Sequence, residues 1–396
     1  MRERHNQKIK GEMVKEKLTV RDFKQFGGKH CETTALRNVL SYHGYPYSEE
    51  MLLGLGGGVG FIYWYMKLMP VPFIGTRYGK PISFALEICK RLGAKATMLQ
   101  TANSKKAHEE LKELLRQGEP VIVCGDIAYL PYFAVPEDVH FGGHSFVVFG
   151  IDEEDRVYIS DRGKKAVTIS VSDLQKARGS KFKPFPPKHG LLKIEFPLKK
   201  VSLKEGIEAG IKDCCTNMLN PPIKNIGLAG IKKWADIVLE WPKMFKGISF
   251  YGCLINTFAY IEIGGTGGSA FRTMYADFLR EAAPILNKPA LKEAAEMFQG
   301  AGRVWNEIAT ASLPDYCPTF KRVRELLIEK NKFFEEQGPF ALDKMRKISE
   351  ELKSLEKKME YDLKQASKIV EEMRERILKC YEVENKTFQE LTKIIS

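Results

Sequence analysis

Along residues 31–43 the apolar positions Ala35, Leu36, Val39 and Leu40 recur at helical spacing, and Gly44 follows as a stop. The spacing predicts a helix that begins at Cys31. Ser48 then caps a short second helix, with Glu49 and Glu50 in its first turn, where carboxylates favour the positive end of the helix dipole. Two more amphipathic stretches, 81–92 and 105–117, each end at a glycine, Gly93 and Gly118. β-Branched and alternating runs follow at 120–127, 144–151, 156–161, 166–171 and 191–196. Helices first and strands afterwards predict an α+β unit on a largely antiparallel sheet. Residues 181–189, with Pro184, Pro186 and Pro187, read as a surface loop.

The strand signal fades after about Pro197, and the break falls between residues 197 and 203. Beyond it the chain reads as helical. A glycine-rich run at 263–269 immediately precedes a helix over 271–283. From Lys344 to Tyr381, Met345, Ile348, Leu352, Leu355, Met359, Ala366, Ile369, Met373 and Ile377 recur near heptad spacing. Long charged helices of this kind form hairpins or coiled coils, which offers a route to a homodimer. The expected organisation is a charged N-terminal segment 1–20, an α+β domain 21–198, a helical domain 199–340 and long terminal helices 341–396.

Composition fits a folded protein: 44% of the 396 residues are apolar and 28% charged, so wholesale disorder is excluded. Residues 1–20 are charged throughout, without an apolar signal core, which argues against secretion. No run reaches the length of a membrane span, and the most apolar stretch, 52–65, is interrupted by glycines. Eight cysteines are irregularly spaced with no C-x-x-C pair, and Cys214 and Cys215 are adjacent. This reads as a reduced cytoplasmic protein with mostly buried cysteines, no metal site and no resident cofactor. The net charge of +12 is spread among acidic residues rather than gathered into a basic block, so nucleic acid is not the expected partner. A positive surface suits an acidic protein or a phosphate-bearing substrate.

Candidate chemistry centres on Cys31. In Gly27-Gly28-Lys29-His30-Cys31-Glu32-Thr33-Thr34 the cysteine stands at a loop-to-helix junction, where the dipole and unpaired N–H groups favour a thiolate. A buried structural cysteine at a helix start is the commoner case, so position alone does not decide. His144 opens a strand after the Gly142-Gly143 pair, and Asp161 ends the next strand. If residues 152–155 form a tight two-residue hairpin, even positions pair with odd ones and both side chains face one side of the sheet. A carboxylate can then orient an imidazole that serves the thiol. Each residue alone has a plainer reading, an edge histidine and a turn aspartate. His30 and His140 compete as bases. His30 points away if the helix starts at Cys31, and His140 lies in a loop without an obvious carboxylate partner.

The motifs His30-Cys31-Glu32-Thr33-Thr34-Ala35-Leu36-Arg37-Asn38, Gly54-Leu55-Gly56-Gly57-Gly58-Val59-Gly60-Phe61 and Gly143-His144-Ser145 resemble the N-terminal domain family named after butirosin biosynthesis protein H. The resemblance runs over roughly residues 20–200. Ile263-Gly264-Gly265-Thr266-Gly267-Gly268-Ser269-Ala270-Phe271-Arg272 and Phe278-Leu279-Arg280-Glu281-Ala282 look like the helical domain that usually follows it. The terminal helices from about Lys344 lie outside the matched part. The resemblance implies a papain-like fold with a Cys-His-Asp site for acyl transfer. Cys31 would be acylated from a thioester donor, typically the phosphopantetheine arm of an acyl carrier protein. His144 would shuttle the proton, Asp161 would orient it, and an amine-bearing small molecule or peptide would accept the acyl group. Gln25 lies six residues before Cys31, the spacing at which papain-like enzymes carry an oxyanion-hole glutamine.

His30 and Glu32, which flank Cys31, are candidate substrate contacts. So are Gly57, Gly58, Tyr63 and Trp64 as lining of an acyl or acceptor cleft, and Glu262 and Arg272 beside the second glycine-rich run. The 54–60 run lacks the Lys-Ser/Thr of a P-loop, and its plain alternative is tight packing under the Cys31 helix. Two other functions remain open from sequence. One is a cysteine peptidase or amide hydrolase using the same trio; the other is a scaffold that binds partners through its helical half.

Overall fold

A computed structural model describes residues 16–67, 69–77, 79, 81–136, 138–197, 199, 201–359 and 364–396. Most of the charged segment 1–20, and residues 360–363 within the terminal stripe, lie outside the described residues. The fold is α+β, with a sheet in the N-terminal half and helices after it. Strands β1 (Leu18–Thr19), β4 (Lys95–Leu99), β5 (Val121–Gly125), β6 (His144–Ile151), β7 (Arg156–Ser160), β8 (Val167–Ser170) and β9 (Leu191–Glu195) form one sheet, while β2 (Ile62–Trp64) and β3 (Phe73–Gly75) form a small hairpin. The large sheet runs β4-β9-β5-β6-β7-β8, β1 pairs with the end of β6, and all its pairs are antiparallel.

The β6–β7 hairpin does not have the expected two-residue turn. Ile151 faces Val157 and Asp152 N–H donates to the Arg156 carbonyl, leaving 153–155 as a three-residue loop with Asp155 at φ 60°. Between Val148 and Gly150 the register shifts again, so that Val148 faces Ile159 and Val147 faces Ser160. The extra residue in β6 offsets the extra residue in the turn. At the open end of the hairpin the register is therefore the one a two-residue turn would have produced. His144 and Asp161 stay on one side.

Helices α1 (Cys31–Tyr42), α2 (Glu49–Leu55) and α3 (Ser83–Arg91) cover one face of the sheet, where Ile122, Cys124, Val147 and Leu192 join their core. Val121, Val123, Phe146, Val148, Val157 and Ile159 face the other layer, with α4 (Ser104–Arg116) and α5 (Val171–Gly179). Sequence patterning assigns no element to β4 or α5. β4 is an edge strand that pairs only with β9 and keeps no buried face, and α5 is short, set by its Ser170 cap on Asp173 N–H.

The second half comprises α6 (Leu203–Leu219), α7 (Gly227–Ile237), α8 (Trp241–Met244), α9 (Ile248–Phe258), α10 (Arg272–Leu286), α11 (Leu291–Ser312), α12 (Pro318–Glu336), α13 (Leu342–Glu356) and α14 (Ala366–Ile395). One apolar core runs from α1–α3 through this bundle. Here the expectation of coiled-coil-like terminal helices needs correction. α14 packs on α11, α7 and α6, and Ile369, Met373 and Ile377 are buried inside the chain. Near-heptad spacing says that one face is apolar; it does not say what covers it. No described helix is long and apolar enough to cross a membrane.

Candidate active site

Cys31 is the first residue of α1, and His30 is its N-cap in extended conformation (φ −111°, ψ 133°). The His30 ring accepts from Thr33 N–H at 3.4 Å through Nδ1. Burial first, then the positive charges of Arg77, Arg162 and His144, hold its pKa well below the usual histidine range. His30 is therefore a neutral cap whose Nδ1 lone pair is engaged. Glu49 fixes the same turn from α2. It accepts from the N–H groups of Lys29 (2.8 Å) and His30 (3.3 Å) and from the hydroxyls of Thr33 (2.9 Å) and Thr34 (2.8 Å). A side chain at Gly28 would collide with Thr34 and Glu49, so the sharp approach to Cys31 needs glycine there. Two turns further along α1, Asn38 donates to Ser160 Oγ at 2.8 Å, tying the helix to the end of β7.

Antiparallel pairing sets His144 opposite Gly125 at the start of β6, and the hairpin brings Asp161 to it. His144 Nε2 lies 2.7 Å from Asp161 Oδ2, with both residues buried. The other ring nitrogen is not engaged by Asp161, and the neighbouring Cys31 thiol adds to the rise in the imidazole pKa. Burial pulls the His144 pKa down, but the Asp161 charge and hydrogen bond, with Cys31, outweigh it and raise it to about 9. For Asp161, burial alone would push the pKa up; the charge and hydrogen bond of His144 and Arg162 win and hold it below the usual carboxylate range. At neutral pH this is an imidazolium between a carboxylate and a sulfur, the partner a thiolate nucleophile needs. Among the eight cysteines only Cys31 is partly exposed; the other seven are buried, and burial raises the thiols of Cys89 and Cys124 to about 12.

Two neighbours of the trio were not legible in the sequence. Tyr132, buried, donates to Asp161 Oδ2 at 2.9 Å, and Arg162 N–H donates to Oδ1 at 2.7 Å. Tyr132→Phe removes a donor while His144 still holds the same oxygen. It is expected to lower stability by about 1 kcal/mol and to slow alkylation of Cys31 roughly threefold to tenfold, read from urea unfolding and iodoacetamide kinetics. The C-terminal turn of α12 also reaches the site. Phe334 lies under the Arg162 guanidinium (4.9 Å) and against Phe133, which meets His144 edge-on at 5.0 Å. Glu335 pairs with Lys29 at 3.1 Å. A single-sequence reading has no signal for either contact, because each joins residues far apart in the chain.

The remaining candidates fall in several places. Gln25 Nε2 donates to the Gly163 carbonyl, beside Asp161 in the chain, and its Oε1 has no partner. Gly57 (φ 96°) and Gly58 (φ 65°) make the turn after α2, and a Cβ at Gly58 would strike the Tyr275 ring of α10. Tyr63 is buried and accepts from Trp241 Nε1 at 3.1 Å, whereas Trp64 is 37% exposed opposite Phe73. Burial raises the Glu262 pKa, against the opposing influence of the Ser269 backbone. Arg272 is fully buried, with its guanidinium committed to Glu384 and to the Thr76 and Ala270 carbonyls, so it has no free donor face for a substrate. His140 does have a carboxylate: Asp126 Oδ2 at 2.9 Å, brought beside it by the β5–β6 pairing rather than by nearness in sequence.

The run from His30 to Arg162 matches the family described as butirosin biosynthesis protein H, N-terminal. Residues 172–332 match a domain of unknown function (DUF4872). No curated protein matches the chain. The family segment encloses Cys31, Glu49, Tyr132, His144 and Asp161, so the turn, the imidazole and the carboxylate all lie within it. Phe334 and Glu335 lie beyond both matched segments, although they stand against the same site.

Proposed function

We propose that this protein, whose residues 30–162 match the butirosin biosynthesis protein H N-terminal family, is a cysteine-dependent acyltransferase of papain-like type, acting in a biosynthetic pathway in the cytoplasm. The observation that carries the reading is the buried His144–Asp161 pair, 2.7 Å apart, with Cys31 at the start of α1 close enough to raise the imidazole pKa further. The Cys31 thiolate attacks the carbonyl of an acyl or aminoacyl thioester, and the imidazolium gives its proton to the leaving thiolate as the C–S bond of the donor breaks. An amine then attacks the Cys31 thioester, passes its proton to His144, and expels the Cys31 thiolate. The exchange of one thioester for another is nearly balanced in energy, and the final amide makes transfer downhill.

The donor in this reading is a phosphopantetheine thioester on an acyl carrier protein, for which a net charge of +12 favours an acidic partner. The acceptor is an amine-bearing small molecule or peptide. Gln25 and the Cys31 backbone N–H are the proposed oxyanion donors. The geometry of a thiol, a base and an orienting carboxylate serves peptide or amide hydrolysis as well, and the outcome depends on whether water or an amine resolves the acyl-enzyme.

The test is intact-protein mass spectrometry after incubation with a panel of acyl-pantetheine thioesters, on wild type and Cys31→Ala. A gain of one acyl group, absent in Cys31→Ala and discharged faster by amines than by water, is the expected result. No adduct from any thioester, with cleavage of peptide or amide substrates instead, would replace transfer by hydrolysis. A folded Cys31→Ala protein with unchanged function would favour a binding scaffold.

A further inference from the structure

Three buried carboxylates surround the Cys31 turn, and they differ in how fully their oxygens are used. Asp161 Oδ1 accepts from Arg162 N–H, and Oδ2 from His144 and Tyr132. Glu49 Oε2 accepts from Lys29 N–H, and Oε1 from His30 N–H and the Thr33 and Thr34 hydroxyls. Glu32 is 2% exposed. Its Oε1 takes the Arg77 guanidinium at 3.0 Å and Ile82 N–H at 3.2 Å, while Oε2 has no partner. A buried carboxylate oxygen without a donor is costly, and native proteins rarely leave one so. This one belongs to the residue that follows the nucleophile.

The surroundings hold Glu32 firmly. Arg77 lies over the Phe84 ring at 4.1 Å, which fixes the direction of its guanidinium. Ile82 supplies its N–H from a left-handed conformation (φ 70°), a genuine outlier for a β-branched residue. Strain of that kind persists only where the surroundings over-determine it. The same segment reaches the base, because a side chain at Gly143, next to His144, would press on Pro81. Glu32 is thus clamped through one oxygen, at the first turn of α1, with the other oxygen left to accept.

We propose that Glu32 Oε2 accepts an N–H from an amine of the substrate that reacts at Cys31. The proposal rests on the acyl-transfer reading for the identity of that substrate. An amine is the donor of choice because a carboxylate binds a protonated nitrogen by a charge-assisted bond, stronger than one to a neutral hydroxyl. The amine comes either from the acyl group being carried or from the acceptor.

The test measures carbamidomethylation of Cys31 by iodoacetamide, followed by mass spectrometry, at matched pH and ionic strength. In wild type, n-propylamine is expected to slow the reaction at least threefold more than 1-propanol does. Glu32→Gln, which keeps an acceptor for Arg77 and Ile82 but places an amide NH2 at the open position, is expected to remove that difference. Equal effects of amine and alcohol in wild type, or an unchanged difference in Glu32→Gln, would overturn the proposal and leave Oε2 to a structural water. If Glu32→Gln does not fold, as read from its thermal melt, the wild-type comparison decides alone. Two further arms separate the sources. If the amine belongs to the acyl group, Glu32→Gln lowers the loading preference for an aminoacyl-pantetheine over its deamino analogue tenfold or more. If it belongs to the acceptor, Glu32→Gln lowers discharge of the acyl-enzyme by n-propylamine relative to hydrolysis by a similar factor. Amine protection of Cys31 without any acyl-enzyme would sink the acyl-transfer reading while sustaining the amine site.

Discussion

Asp161→Asn is expected to slow acylation of Cys31 by a factor on the order of 10²–10⁴ while leaving the fold intact. The carboxylate is what keeps His144 protonated in a buried site: burial alone pulls the imidazole down, and Asp161 is the main group opposing it. With an amide at position 161, the imidazolium beside Cys31 loses its counter-charge, and the ring can settle in the wrong tautomer. The pH dependence carries the same signature. His144 has a folded pKa of about 9, above the 6.5 of a free histidine. The stability this group contributes is therefore full below about pH 6.5 and is lost as pH rises through about 9. Wild-type reactivity that depends on the protonated ring should fall through the same window. In Asp161→Asn that alkaline limb should move to lower pH. Pre-steady-state acylation, or iodoacetamide kinetics across pH 5–10, reads both effects. An unshifted limb with a near-normal rate would remove Asp161 from the mechanism.

The largest expected loss of stability lies away from the site. Arg272 and Glu384 form a bidentate pair (2.6 and 2.9 Å) in which both side chains are fully buried, and Trp305 Nε1 donates to the same carboxylate at 2.6 Å. The Arg272 guanidinium also lies over the Trp305 ring at 4.7 Å. Glu384→Ala strands a charged guanidinium and an indole N–H in the core, and is expected to destabilise the protein by about 3–5 kcal/mol. The double variant Arg272→Met/Glu384→Leu removes both charges and is expected to recover most of that loss, because apolar side chains of similar volume need no counter-ion. Urea unfolding of the single and double variants measures it. Equal destabilisation in both would mean that shape rather than charge holds α10, α11 and α14 together.

The reach of that pair explains why the helical half matters to the site. Phe271, beside Arg272, meets the His30 ring edge-on at 5.2 Å, and the α12 turn sets Phe334 and Glu335 against Arg162 and Lys29. Gly54 and Gly58 let α10 come close, since a side chain at either would strike Phe278 or Tyr275. The glycine-rich run after α2 therefore serves the junction between sheet and bundle. Its spacing alone allowed either a cleft or a packing surface.

By itself the sequence determined the local elements and where the chemistry could start. Helical spacing after Cys31, the Ser48 cap and the β-branched runs specify α1, α2 and strands β5 to β9, because each depends on residues within a few positions of one another. The helix start at Cys31 and the strand start at His144 are legible for the same reason. Tertiary structure alone decided the rest. The hairpin carries a three-residue turn and a compensating bulge, two deviations whose effects on register cancel. The apolar stripe of α14 is covered by α11 and α7, not by a second chain or a hairpin partner. Glu49, Tyr132, Asp126 and Glu335 acquire their roles from partners many residues away, and the open oxygen of Glu32 shows only once every donor around it has been counted. Periodicity and caps record short-range physics; which groups meet, and which buried oxygen is left over, follows from how the elements pack.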